Sequence, residues 1–74
     1  MKVSYKKLWK LLVDNEMTKT EFRLKIGIST NTLTKLSKSE VVGTEILMKI
    51  CKYFNCDVGD IIEFINEDDV KGDL

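Results

Sequence analysis

The sequence predicts an all-α domain, a compact bundle of about five short helices. Its 74 residues include no proline and are rich in Ile, Leu, Lys and Glu, a composition that favours helices. Apolar residues recur at helical spacing, and residues that serve as N-caps precede the segments with this spacing. We expect one domain over residues 1–66, followed by a frayed acidic tail over residues 67–74.

The first two predicted helices have recognisable ends. Ser4 is placed to cap a helix that runs to about Asn15. Thr18 and Glu21 match the capping box, in which each side chain satisfies a backbone donor of the other residue. Gly27 ends the second helix, because glycine adopts the left-handed conformation without strain.

Three further helices follow the same logic. Ser29 caps a third helix, which covers about residues 29–38. Thr44 caps a fourth, which closes at Asn55 in the left-handed conformation. Asp57 caps a short fifth helix.

Residues 18–38 match the pattern of a helix-turn-helix unit, two helices joined by a turn of about four residues that contains glycine. The first helix of such a unit lies across the second, so the positions between them must be apolar. All of these positions comply: Phe22, Ile26, Ile28, Leu33 and Leu36.

Charge is divided unevenly along the chain. Residues 1–38 hold nine Lys or Arg and three acids, a net charge of +6. Residues 39–74 hold three Lys and nine acids, a net charge of −6. A division of this kind is typical of a protein in which one face meets a polyanion, although small soluble proteins also distribute charge unevenly.

Several classes of function are unexpected here. The chain has no histidine, which excludes histidine-based catalysis and zinc sites with histidine ligands. Its two cysteines are too few for a structural zinc site, and no glycine-rich phosphate loop is present. We therefore expect no enzyme activity, no catalytic residues, no cofactor, no metal and no small-molecule ligand.

The distribution of apolar and charged residues also predicts the cellular location of the protein. The longest apolar stretch is far short of the roughly 20 residues that span a membrane. No signal-peptide core follows the N-terminus, because charge returns at Lys6 and Lys7. We expect a cytoplasmic protein whose two cysteines, Cys51 and Cys56, are reduced.

Over about residues 5–64 the sequence resembles a known family, the helix-turn-helix regulators of the phage repressor/Cro type (XRE family). The resemblance lies in TKTEF at 18–22 and IGISTNTL at 26–33, and extends through EILMKIC at 45–51 and CDVGDII at 56–62. It implies a lambda repressor-like DNA-binding domain with a recognition helix in the major groove. It also implies a two-fold homodimer on a palindromic operator of double-stranded DNA. One departure is Arg23, where the family often has alanine.

The resemblance assigns roles by position. The residues expected to face base edges are Thr30, Asn31, Thr34 and Lys35. Lys19 lies where the family contacts phosphate, and further phosphate donors are Thr20, Thr32, Lys38 and Ser39. The chemistry suits these roles, because Asn pairs with adenine N6/N7 and Lys donates to guanine O6/N7.

The expected function is sequence-specific binding of double-stranded DNA as a small transcriptional regulator. Surplus apolar residues near the C-terminus are the expected dimer surface: Val58, Ile61, Phe64 and Ile65. A second interpretation stays open, a protein-interaction module on the same fold, such as an anti-repressor or an antitoxin-like partner binder. The basic N-terminal half favours the first interpretation, and the acidic C-terminal half keeps the second.

Overall fold

The computed structural model describes residues 1–66. Its elements follow one another in a simple order: β1 (Lys2–Ser4), α1 (Lys6–Asp14), α2 (Lys19–Ile26), α3 (Thr30–Ser37), α4 (Thr44–Phe54), a 3₁₀ turn (Val58–Asp60) and β2 (Glu63–Ile65). The predicted acidic tail, residues 67–74, lies outside the described residues. Within residues 1–66, no helix is long and apolar enough to cross a membrane.

The prediction of an all-α bundle of five helices is wrong at both ends of the chain. Residues 1–66 form four α-helices, and β1 pairs with β2 in a two-stranded antiparallel sheet, with Val3 opposite Phe64. Ser4 belongs to β1, and α1 begins after Tyr5 without a side-chain cap. The Ser4 hydroxyl accepts a hydrogen bond from the Lys6 backbone N–H at 3.3 Å, a local turn before the helix.

The predicted fifth helix is a single 3₁₀ turn. Asp57 does cap it, because its carboxylate accepts from the Val58 N–H at 2.7 Å and Asp60 completes a capping box. The chain then extends into β2, whose pairing with β1 replaces further helical hydrogen bonds. At the start of α4 the N-cap is Gly43, so that Thr44 is the first helical residue and not the cap.

The core lies where α1, α2, α3 and α4 meet the 3₁₀ turn and the sheet. Its fully enclosed members come from every part of the chain: Val3, Tyr5, Leu8, Leu12, Phe22, Ile28, Leu36, Ile50 and Ile61. Phe22 lies at the aromatic centre, edge-on to Trp9 at 6.4 Å and stacked on Phe54 at 6.3 Å between ring centroids. Aromatic pairs of this geometry add to the stabilisation from buried area.

Tyr5 fixes the loop that follows α3. Its side chain is buried, and its hydroxyl donates a hydrogen bond to the Glu40 carbonyl at 2.6 Å. Burial raises the pKa of Tyr5, and a hydrogen bond from the Val42 backbone opposes that rise. The start of α1 is thereby joined to the segment between α3 and α4.

All four α-helices end in the same way. One or two residues beyond the last residue of each helix, the backbone is left-handed: Glu16 (φ 52°), Gly27 (φ 83°), Ser39 (φ 60°) and Asn55 (φ 54°). In each case the next N–H donates back to the carbonyl five residues earlier, the 6→1 bond of the Schellman motif. Gly27 and Asn55 confirm the predicted helix ends.

Candidate nucleic-acid interface

The start of α2 is fixed by the predicted capping box. The Thr18 hydroxyl accepts from the Glu21 N–H at 3.1 Å, and the Glu21 carboxylate accepts from the Thr18 N–H at 2.9 Å. Hydrogen bonds from the Thr18 backbone and then from its hydroxyl hold the pKa of Glu21 below its ordinary value. These bonds satisfy donors that the first turn of a helix leaves unpaired.

The turn between α2 and α3 depends on Gly27 and Arg23. Gly27 has a left-handed backbone that other residues rarely adopt, although no atom within 4 Å obstructs a side chain there. Arg23, half-buried, donates from its guanidinium to the Ile28 carbonyl at 3.4 Å. The residue that departs from the family pattern therefore contributes a hydrogen bond to the turn itself.

The predicted recognition helix is α3. The Ser29 hydroxyl caps it by accepting from the Thr32 N–H at 3.1 Å. The Thr32 hydroxyl also pairs with Ser29 at 3.0 Å, so this predicted phosphate donor is partly occupied by the cap. Leu33 and Leu36 pack toward the core, which leaves the opposite side of α3 in solvent.

The four residues predicted to face bases all lie on the exposed side of α3. Thr30 and Thr34 are one turn apart, as are Asn31 and Lys35, and all four are exposed. The Thr34 hydroxyl donates to the Thr30 carbonyl at 3.0 Å. Within residues 1–66 no hydrogen bond engages the Asn31 carboxamide, so both its donor and its acceptor are available.

Lys19 lies at a junction of three helices that the sequence analysis did not foresee. Its ammonium is 4.1 Å from the centroid of the Trp9 ring in α1 and 3.4 Å from the hydroxyl of Ser37 at the end of α3. The Trp9 ring in turn packs on Phe22 in the core. The position of the Lys19 charge is therefore defined by contacts with α1 and α3.

The other predicted phosphate donors lie at the two ends of the unit. Thr20 is exposed in the first turn of α2, next to Lys19. Lys38 is the exposed C-cap of α3, and Ser39 follows it, half-buried and with a left-handed backbone. The structure thus places these residues at the start of α2 and the end of α3.

The residues predicted for a dimer surface divide into two groups. Phe64, Ile65 and Val58 are 70%, 41% and 42% exposed, and so are open to a partner. Ile61 is 0% exposed, and its prediction as an interface residue is wrong. The chain forms a short 3₁₀ turn here in place of the predicted helix, and Ile61, which follows the turn, belongs to the core.

No group of three metal-ligating side chains occurs among residues 1–66.

A family model for the Cro/C1-type helix-turn-helix DNA-binding domain matches residues 7–67, most of the chain. The chain belongs to this family. The Cro/C1-type match begins inside α1 and includes the capped α2–α3 unit and β2, while β1 lies before it.

The Cro/C1-type assignment agrees with a solved structure. This chain is 53% identical to the protein in the crystal structure of the transcriptional regulator VanUg, Form II, with a TM-score of 0.85. The similarity covers 89% of this chain and 88% of that one. A comparison with curated proteins gives no match.

Proposed function

We propose that this protein is a transcriptional regulator that binds a specific sequence of double-stranded DNA, with α3 in the major groove. The observation that carries the proposal is the exposed side of α3, where four polar residues face solvent on a helix fixed by caps at its start and by the core behind it. The similarity to the regulator VanUg supports the same role.

In this proposal, Asn31 and Lys35 read base edges. A carboxamide donates and accepts at adenine N6/N7, and an ammonium donates to guanine O6/N7. Both side chains are exposed and lie one turn apart on α3, so they face neighbouring positions in the groove. Thr30 and Thr34 add methyl groups that suit contact with thymine.

In the same proposal, DNA phosphates are held by a second set of residues: Lys19, Thr20, Thr32, Lys38 and Ser39. Phosphate contacts fix the register of a protein on the duplex, and they do so best when the charge has a defined position. The contacts of Lys19 with Trp9 and Ser37 supply such a position. Lys38, the C-cap of α3, provides a second charge at the same end of α3 as Ser37.

We further propose a homodimer on a palindromic operator. A single module of this size offers only about 600–1,000 Å² to DNA, so two copies on half-sites about one helical turn apart would raise affinity. The exposed apolar residues Val58, Phe64 and Ile65 are the proposed shared surface. Ile61 has no part in it, because it is enclosed in the monomer.

The test compares two substitutions that differ in kind. An operator is first obtained by in vitro selection on random duplexes, and binding to it and to random DNA is then measured across a salt series. Asn31→Ala is expected to cost about 1–3 kcal/mol on the operator, with little change on random DNA, and to relax the choice at one base pair. Lys19→Ala is expected to weaken both duplexes about equally and to reduce the salt slope by about one charge.

Lys52→Ala is the matched control, because it removes the same charge from the exposed surface of α4, a helix with none of the proposed DNA contacts. Its salt slope is expected to equal that of the wild type. An equal loss for Asn31→Ala on both duplexes contradicts base recognition by Asn31. If selection enriches no sequence while the protein forms a tight complex with another protein, the function is that of the alternative, a protein-interaction module.

A further inference from the structure

Cys51 and Cys56 meet where α4 ends. Asn55 has a left-handed backbone, and the Cys56 N–H donates to the Cys51 carbonyl at 3.0 Å. This 6→1 bond belongs to the Schellman motif, which brings together the side chains of the two residues that it joins. At the ends of α1, α2 and α3, the same 6→1 bond joins residues that have no thiol, for example Leu12 and Met17.

The electrostatics of the pair agree with this backbone geometry. Burial raises the pKa of the Cys51 thiol, and its interaction with the Cys56 thiol raises that pKa further. Asp57 and Asp60 add to the rise, because their negative charges disfavour a thiolate nearby. The two thiols are therefore neighbours, and burial, Cys56 and the two aspartates all disfavour the thiolate of Cys51.

Both thiols also reach the surface, but on different sides. Each cysteine is half-buried and free. Cys56 opens to a cleft of about 350 Å³ that is lined by Lys7, Lys10, Leu11, Asp14 and Asp60. Cys51 borders a separate cleft beside Met48 and Val58. A small reagent therefore has access to Cys56 next to two lysine ammonium groups.

We propose that Cys51 and Cys56 form a dithiol site that a low-molecular-weight disulfide converts to an intramolecular disulfide. In the first step the Cys56 thiolate attacks the reagent, one S–S bond breaks, and one reagent thiolate leaves. In the second step the Cys51 sulfur, after loss of its proton, attacks the Cys56 sulfur of the mixed disulfide and expels the second reagent thiolate. The two cysteines lose two electrons and two protons in total, and one reagent disulfide is reduced to two thiols.

The order of the two steps follows from the surroundings. The first attack is expected from Cys56, because it opens to a cleft, whereas the pKa of the Cys51 thiol is raised. The mixed disulfide replaces the Cys56 thiol, so it removes one of the interactions that raise the pKa of Cys51. Cys51 lies next to Cys56 at the end of α4, so the second step is intramolecular and is expected to outrun any attack by external thiol.

The test treats the reduced full chain with glutathione disulfide and follows intact mass after acid quenching. Wild type is expected to end as a species that has lost two hydrogen atoms and carries no glutathione. Cys51→Ser is expected to stop at one stable glutathione adduct on Cys56. Cys56→Ser is expected to react more slowly than Cys51→Ser and to give no closed product.

Peptide mapping of wild type at early times gives a second measurement that does not depend on how the variants fold. Adduct on Cys56 that precedes closure supports the proposed order. A wild-type protein that keeps one or two glutathione groups, or that does not react, overturns the proposal, because neighbouring accessible thiols must close. None of these results depends on DNA binding, so the failure of either proposal leaves the other in place.

Discussion

The α2–α3 unit and the sheet end of the molecule, made of β1, the 3₁₀ turn and β2, expose opposite kinds of surface. The unit exposes hydrogen-bonding side chains such as Asn31 and Lys35. The sheet end exposes apolar ones, and Met1 and Phe64 are 78% and 70% exposed. The first surface suits a polar, charged partner such as DNA, and the second suits an apolar partner such as another copy of the chain. The two proposed interactions therefore use different ends of the protein.

The two regions also differ in what holds them together. The α2–α3 unit surrounds Phe22, which is 0% exposed and contacts aromatic rings from α1 and α4. In the sheet, Val3 and Phe64 are directly opposite each other, yet Val3 is buried and Phe64 is not. Two short strands alone are marginally stable in water. The unit is thus complete in the monomer, whereas the sheet end leaves its largest apolar side chain uncovered.

The largest effect is expected from removing the centre of the unit. Phe22→Ala deletes a fully enclosed ring together with its contacts to Trp9 and Phe54. We expect a loss of about 3–5 kcal/mol in the free energy of unfolding, measured by urea denaturation. For a small domain with a total stability of about 5–15 kcal/mol, this change removes a large part of the whole.

Leu24→Ala is the matched control for this prediction. Leu24 lies in the same helix and is 63% exposed, so its truncation is expected to change stability by less than about 0.5 kcal/mol. Equal losses for the two substitutions would mean that the unit is not organised around Phe22.

The second effect concerns the sheet end. Phe64→Ala is expected to weaken dimer formation by about 2 kcal/mol, roughly 30-fold, because large aromatic residues carry much of the energy of an interface. The free energy of unfolding of the monomer is expected to change little, since Phe64 is 70% exposed. Sedimentation across a concentration series measures the first quantity, and urea denaturation at low concentration measures the second.

Val13→Ala provides the comparison, because Val13 is 74% exposed on α1, outside the sheet end. It is expected to leave the dimer unchanged. A wild-type protein that sediments as a monomer both alone and on DNA contradicts the proposed dimer, and equal weakening by both substitutions contradicts its location at Phe64.

The two regions differed as well in how far sequence alone could predict them. The α2–α3 unit was predictable because its signals are local: the Thr18 capping box, the Ser29 cap and Gly27 each act within a few residues. The sheet was missed because its strands are three residues long and pair across almost the whole chain, from Lys2 to Ile65. No local pattern distinguishes such a strand from a frayed helix end. The burial of Ile61 was missed as well, because the 3₁₀ turn before it was predicted as a longer helix.

Left-handed helix ends show the same limit on a smaller scale. Gly27 and Asn55 were predicted because these residue types tolerate positive φ. Glu16 and Ser39 adopt the same conformation with no sequence signal, because the hydrogen bonds of the helix end impose it. The contacts of Lys19 with Trp9 and Ser37 were likewise unpredictable, since they join three helices whose packing the sequence pattern does not specify.

The smallest expected effect tests the cap at the start of the α2–α3 unit. Hydrogen bonds from Thr18 hold the pKa of Glu21 below its ordinary value, so the ionised form favours the folded state. This stabilisation is complete above the ordinary Glu pKa of about 4.3, and it is lost as the pH falls through the lower folded-state pKa. Glu21→Gln retains a capping-box side chain but cannot titrate. We therefore expect the wild type to lose stability relative to Glu21→Gln as the pH is lowered from about 5 to 2, in thermal unfolding measured at each pH.

The other acids titrate in both proteins and cancel in the difference. Repeating the series at about 1 M salt screens the weaker attraction of Lys25 and is expected to preserve most of the difference, because the hydrogen bonds from Thr18 are its larger cause. Parallel pH profiles for the two proteins would mean that the Glu21 carboxylate does not hold the start of α2.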